Sequence, residues 1–387
     1  MKTALTFLLL SIIILSLNAQ NNPITPGVLI NHFSKSTNKY IGSPSICILP
    51  DGDYVASHDE FGPGSTEYYS ARTHIFVSRD QGITWTEIAQ IDGQFWSNLF
   101  VHKGELYIMG TNKHHGNLLI RKSVDNGKTW TNPYNGTNGL ILEGEYHTAP
   151  MPMIVYNGKI WRSIEYATGK TSAWGKRYSA MMISIDANAD LLNANNWIKT
   201  NHLPYNPNYL GGKFEAWLEG NAVATKDGNI VNILRVHSPD LPDEYCAVVN
   251  LDTVENELSF DEINFRKMPG ASKKFSIRYD ESSGLYLSIV NNVPEEYKEL
   301  TSNDRIRNTV SLVSSPDLKN WTIEKNLLFN KDYKTHAFQY IDWAFDGDDI
   351  IFVSRTAFDD NEGGAISAHD SNYLTFHRIK QFRQYIH

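Results

Sequence analysis

Apolar and polar residues alternate along this chain in short runs, and each run is cut off by Gly, Asn, Asp or Pro. A period of two marks a half-buried strand, and no segment sustains a 3.6-residue period long enough to predict a helix. The stretch "SICILPDGDYVASH" shows the unit: a strand, a tight turn at Asp51-Gly52, and a second strand. The same hairpin returns as "NLFVHKGELYIMG", "MPMIVYNGKIWRSIE", "NAVATKDGNIVNILRV", "KFSIRYDESSGLYLSIV" and "QYIDWAFDGDDIIFVSRT". Each has a Gly- or Asp-centred turn of the kind that joins antiparallel strands. Two further strands are expected after every hairpin, the last ending in an aromatic residue: Trp85, Trp130, Trp197, Phe260, Trp321 and Phe376. Six hairpins and six aromatic closures predict an all-β fold, a six-bladed β-propeller of four-stranded antiparallel blades, with seven blades as the alternative count. The segment "PGVLINHF", Pro26 to Phe33, is expected to latch the last blade as an extra strand.

The N-terminus breaks this pattern. "MKTALTFLLLSIIILSLNAQ" holds one Lys, an apolar run and a small residue at Ala19, the pattern of a signal peptide over residues 1–19. Residues 20–387 are then expected to form one propeller domain in a secreted or periplasmic protein, with no membrane span and as a monomer. Net charge is −8 without a basic block, which argues against a nucleic-acid partner. Cys47 and Cys246 stand about 200 residues apart and are expected to be separate buried thiols. No CxxC or HExxH sequence supports a zinc site. Asp59, Glu60 and Glu67 lack EF-hand spacing, so a structural calcium ion is the most that the sequence allows as a cofactor.

"SRDQGITW", from Ser78, recurs as "SVDNGKTW", from Ser123, 45 residues later, and "SSPDLKNW" is a degenerate third copy. In such a turn Asp80 or Asp125 accepts backbone N–H bonds and the Gly adopts the left-handed backbone. The spelling S-x-D-x-G-x-T-W resembles the Asp-box, or BNR repeat, of the sialidase-like propellers. The resemblance implies a structural turn at the periphery of a blade, away from substrate.

Propeller topology brings the start of each blade's first strand and the end of its second to one axial rim. Polar groups beside a packed axis are costly unless they are used. The first hairpin brings His58 and Asp59 to that rim, with Ser43 ahead of it. The second brings Trp96 and, from its far end, His114 and His115. The third brings His147, Glu165 and Tyr166, and the fourth Trp217, Glu219, Arg235 and His237. The fifth brings Lys273 and Lys274, and the sixth His336, Gln339, Tyr340 and Arg355. Arg235, Arg355 and Lys274 suit a carboxylate or sulfate. Trp96, Trp217 and Tyr340 suit stacking on a sugar ring, and the imidazoles titrate near neutral pH. An acidic polysaccharide or oligosaccharide is the expected substrate.

Three chemistries compete for this rim. The sialidase resemblance implies three arginines on a substrate carboxylate, the first in an Arg-x-Pro sequence. Here that place reads Gly42-Ser43-Pro44. A propeller polysaccharide lyase acting on a uronate such as ulvan would use His147 or His115 as base, Tyr340 or Tyr166 as acid, and Arg235 or Arg355 on the carboxylate. A hydrolase, for instance one removing rhamnose next to a uronate, would pair Glu165 with Glu219 or Asp59. β-Elimination is placed first, hydrolysis second, and a glycan-binding propeller without catalysis third. Substrate-binding roles are expected for His58, Asp59, Trp96, Arg235, Lys274, His336 and Arg355.

Overall fold

All six expected hairpins form in the computed structural model, which describes residues 25–386. The signal-peptide expectation for residues 1–19 lies outside the described residues. Ser45–Ile48 pairs with Tyr54–Phe61, Phe95–His102 with Glu105–Thr111, and Ile154–Tyr156 with Lys159–Tyr166. Ala216–Ala224 pairs with Ile230–His237, Ile277–Asp280 with Leu285–Val290, and Ala337–Asp346 with Asp349–Ala357. A third strand follows each hairpin, from Arg72–Ser78 in the first unit to Tyr373–Ile379 in the sixth. The latch is present: Val28–His32 lies antiparallel to Tyr373–Ile379 and forms the outer edge of the last sheet.

Among the described residues five sheets result rather than six separate ones. The second and third units share an eight-stranded sheet, because Leu140–His147 serves both. Its body lies along Gly116–Ser123, whereas Tyr146 and His147 pair with Tyr166 and Glu165 of the third hairpin. Phe260 directly follows the strand Glu257–Ser259, as expected, but the other five aromatic closures sit differently. Trp85, Trp130, Trp197 and Trp321 precede a fourth strand instead of ending it, and Phe376 lies inside a third strand. For Trp85 and Trp130 the cause is the Asp-box, which occupies the corner between third and fourth strands. Asp80 accepts from the Thr84 amide at 2.8 Å, and the Ser78 hydroxyl accepts from the Gly82 amide at 2.8 Å. Asp125, Thr129, Ser123 and Gly127 repeat these bonds. Gly82 has φ +90°, and a Cβ there would lie 2.2 Å from the Phe376 ring.

The six largest apolar clusters each combine two successive hairpin units, and they form a cycle. Val55 and Ile75 pack with Leu99 and Ile108, Met109 with Ile160 and Ile183, and Trp161 with Trp217 and Leu234. Ile233 packs with Ile277 and Val313, and Leu287 with Trp343 and Phe352. Ile351 and Phe376 then return to Ile46 and Phe76. Near the axis, polar side chains of one inner strand bond the next: Ile46 N donates to Asp342, Leu99 N to Ser45 Oγ, and Ile277 N to Asn221 Oδ1. This ring of bonds satisfies backbone donors that would otherwise be buried without partners. Cys47 and Cys246 are separate buried thiols. No helix among the described residues is long and apolar enough to cross a membrane.

Candidate active site

Three inner strands carry the same irregularity. The register of the second, fourth and sixth hairpins slips by one residue between Phe95 and Asn98, Leu218 and Asn221, and Gln339 and Asp342. Inside each slip one residue takes left-handed backbone: Trp96 at φ 48°, Glu219 at φ 50° and Tyr340 at φ 54°. Such a conformation is unfavourable for a residue with a side chain, and a bulge of this kind re-aims the side chain it carries. Both Glu219 and Tyr340 thereby meet at the axial rim, where the Tyr340 hydroxyl donates to Glu219 Oε1 at 2.9 Å.

Three buried guanidinium groups surround this pair. Arg235 donates to Glu219 Oε2 at 2.9 Å and to the Ser272 carbonyl at 2.9 Å. Arg307 lies 5.9 Å from the centre of the Tyr340 ring and donates to Gln339 Oε1. Arg355 lies 5.2 Å from the same ring and donates to the His369 carbonyl. Its Nε and Nη1 are buried and have no hydrogen-bond partner among the described residues. Burial pushes the Glu219 carboxyl up, but Arg235 and His147 outweigh it, so its pKa falls below the usual carboxylate value. Burial and the neighbouring Glu219 raise the Tyr340 phenol. Burial lowers Arg307 to about 10 and also lowers Arg355. A cation whose charge is disfavoured by desolvation gains most from an anionic ligand. Above the site opens a cavity of about 810 Å³, lined by Arg235, His237, Asp304, Arg307, Tyr340, His369 and Trp174, among others. Its walls come largely from connections between second and third strands.

The imidazole side of the rim is built differently. His147 Nδ1 lies 2.7 Å from Glu165 Oε2. Its ring is held between Trp96 (centroids 4.5 Å apart) and Tyr178 (4.5 Å, stacked). His115 Nε2 lies 2.8 Å from the Tyr178 hydroxyl. Glu165 is buried, which raises its pKa, and it also accepts from the Gly220 amide at 3.3 Å. Burial lowers His114 to about 4 and His115 to about 2, leaving both neutral at pH 7.

The structure thus brings together His147, His115, Glu165, Glu219, Tyr340, Trp96, Arg235 and Arg355. Other expected site residues lie elsewhere. His58 is buried against the latch strand, stacked on His74 at 4.9 Å and bonded to Asn31 at 2.8 Å, because it occupies the opposite face of its strand from Asp59. Asp59 is buried beneath the rim, where it accepts from Thr73 Oγ1 at 2.6 Å and the Trp96 amide at 2.8 Å. It supports the Trp96 bulge, and burial raises it to about 8. Lys274 points into the axis, donating to Ser276 Oγ at 2.9 Å and the Ile341 carbonyl at 2.5 Å. His336 lies between Asp332 and Asp359, each at 3.3 Å. Trp217 belongs to the apolar core, since the bulge at Glu219 breaks the two-residue alternation that would have faced both alike. The Tyr166 ring lies tilted against His202, centroids 4.5 Å apart. Asp59 and Glu60 are committed to protein partners, and no group of three or more His, Cys, Asp or Glu among the described residues could hold a metal ion.

Arg307, Asp304, Tyr178 and Trp174 complete the site. Arg307 was legible only as a cation on a long connection, and the others carry no sequence signal.

No protein-family model matches this chain, and no curated protein sequence does. Solved structures do. An α-L-arabinanase of Penicillium chrysogenum, complexed with arabinobiose, superposes with TM-score 0.53 at 14% identity, over 92% of this chain and 98% of that one. The α-L-arabinofuranosidase Arb93A of Fusarium graminearum gives TM-score 0.58 at 13% identity, over 93% and 99%. A Hadza microbial sialidase, Hz136, gives 0.59 at 13% identity, over 90% and 67%. At such identities the likeness is one of fold: this chain has the all-β propeller architecture of these proteins.

Proposed function

We propose that this chain is a secreted carbohydrate-active enzyme, a single propeller domain that hydrolyses the glycosidic bond of a terminal sugar carrying a carboxylate. Counting the shared eight-stranded sheet as two fused blades gives six blades, in accord with the closed cycle of six apolar clusters. The observation that carries the reading is the ring of Arg235, Arg307 and Arg355 around a tyrosine bonded to a carboxylate. The guanidinium groups are suited to a carboxylate by paired hydrogen bonds. Arg355 also lies over Tyr40 and Phe61, 5.5 and 5.4 Å from their ring centres. It therefore offers a cation beside Gly42–Pro44, where the sialidase-like pattern would have supplied one. Glu219 takes the Tyr340 proton as the phenol oxygen attacks the anomeric carbon, and water later releases the sugar. Walls formed by long connections favour a chain end over an internal bond. Sugar hydrolysis also agrees with the names of the similar folds, among them arabinan-acting enzymes and sialidases.

β-Elimination stays as the second reading, on one observation: the His147–Glu165 pair lies next to His115 and Tyr178 on the same rim. Two assays separate the two. The protein is incubated with aryl glycosides of uronic and nonulosonic acids and with uronate polysaccharides. Phenol or sugar release without new ultraviolet absorbance supports hydrolysis. Growth of the absorbance of an unsaturated uronate, near 235 nm, would overturn it in favour of elimination.

A further inference from the structure

A tyrosine nucleophile needs a separate acid to protonate the departing oxygen, and the carboxylates expected for that task are engaged. Glu219 holds Arg235 and Tyr340, Glu165 holds His147, and Asp59 holds Thr73 and the Trp96 amide. One carboxylate lines the cavity among the described residues: Asp304. Its Oδ1 is buried and has no hydrogen-bond partner among the described residues, although Ser302 bonds the same carboxylate. His237, which lines the same cavity, likewise presents an unbonded, buried Nδ1. Unpaired buried polar atoms are costly and rare, and here two of them belong to side chains that line one cavity, which points to a role for both residues in holding a ligand.

The turn that carries Asp304 is braced. Asn303–Arg305 forms a single 3-10 turn. The Asp304 carbonyl accepts from Arg307 Nε at 2.9 Å, and the Asn303 carbonyl accepts from Lys273 Nζ at 3.0 Å. The Asn303 side chain donates to the Pro242 carbonyl at 3.0 Å, tying the turn to the preceding unit. Trp174 projects from the third unit's connection on the cavity wall, half exposed, with its edge against His237 at 5.4 Å. Together these groups form a polar wall with an aromatic face, suited to the sugar that leaves.

We propose that Asp304 is the proton donor and acceptor of the reaction, resting on the glycosidase reading above, with His237 and Trp174 holding the leaving sugar. In the first step the Tyr340 oxygen bonds to the anomeric carbon and the glycosidic C–O bond breaks. The Asp304 proton passes to the leaving oxygen and the Tyr340 proton to Glu219. In the second step water attacks the same carbon and gives its proton to Asp304. The C–O bond to Tyr340 then breaks, and Glu219 returns the phenol proton. The net change is addition of one water across the bond. Burial raises the Asp304 carboxyl, but Ser302, His237, Arg235 and Arg307 outweigh it, and the net direction is down. The free enzyme therefore holds the required acid form only at low pH. A bound carboxylate offsets the charge of Arg235 and Arg307 and raises the proton affinity of Asp304 in the complex.

Asp304→Asn, with Asp304→Ala as the second variant, tests this with two substrates of one sugar. One has a phenol leaving group, the other a sugar alcohol. On the alcohol substrate kcat/KM should fall about 10²–10⁴-fold. On the phenol substrate it should stay within about tenfold, with kcat reduced and restored by azide, which forms the glycosyl azide. The decline of wild-type kcat toward alkaline pH, which Asp304 sets in the complex, should disappear in both variants. An equal loss on both substrates, with no azide rescue, overturns the role of Asp304 while leaving the glycosidase reading intact. A wild type that releases no sugar from any carboxylated substrate overturns that reading, and this role with it.

Discussion

The two halves of the axial rim hold similar numbers of ionisable groups but use them in opposite ways. On the imidazole side, His115, His147, Glu165, Trp96 and Tyr178 bond and stack on one another. On the cationic side, Arg355, Asp304 and His237 keep buried polar atoms without hydrogen-bond partners among the described residues, and Asp304 and His237 line a cavity with Arg235, Arg307 and Tyr340. Convergence alone therefore does not mark a reactive centre. The distinguishing features are unsatisfied hydrogen-bonding capacity and access, and both lie on the side of Tyr340.

Mutations should break this contrast most sharply at Tyr340. Tyr340→Phe keeps the ring and deletes the nucleophile, so kcat should fall at least about 10³-fold, with the unfolding midpoint nearly unchanged. Calorimetry beside kinetics checks both. Arg355→Met comes next. Its loss should raise KM for a carboxylated substrate about 10–100-fold, as removing a charge-assisted bond of about 1.5–3 kcal/mol would. Stability should hold or rise, because a poorly satisfied buried cation is removed. Arg235→Met should instead destabilise the fold by about 3–5 kcal/mol, since it strands the buried Glu219 charge. Denaturant titration of the two variants distinguishes them.

His147→Gln extends the test to the other half. It should cost about 1–3 kcal/mol of stability by leaving Glu165 with a weaker partner, and should change kcat less than tenfold. The smallest effect expected is on acid stability. His114 and His115 titrate at about 4 and about 2 when folded, against 6.5 unfolded. The unfolded chain thus binds more protons below pH 6.5, and stability present above that pH is lost as pH falls toward 4. The unfolding midpoint should drop by several degrees over that range, and less so in a His114→Gln, His115→Gln double variant.

The fold was largely legible because strand period and turn chemistry are local. The hairpin at Asp51-Gly52, the latch from Pro26 and the Asp-box turns were all written in runs of fewer than twenty residues. The site was legible only as far as regular alternation held. Bulges at Trp96, Glu219 and Tyr340 turn side chains in ways that no period predicts, so Trp217 was expected at the rim and lies in the core. His58 and Asp59 were placed at the correct strand end, but one serves the latch and the other the Trp96 bulge. Asp304 and Arg307 sit on a connection whose path is set by tertiary bonds to Pro242 and Gln339, which local pattern does not encode.

Trapping the reaction half-way gives the most direct test of the central claim that Tyr340 is the nucleophile. A carboxylated sugar bearing fluorine beside the anomeric centre and fluoride as leaving group is incubated with the enzyme, and the peptides are mapped by mass spectrometry. One added sugar on the peptide containing Tyr340, localised to its phenol oxygen and absent in Tyr340→Phe, is the predicted result. An adduct on Glu219, Glu165 or Asp304, or turnover of true substrate by Tyr340→Phe at the wild-type rate, would contradict it.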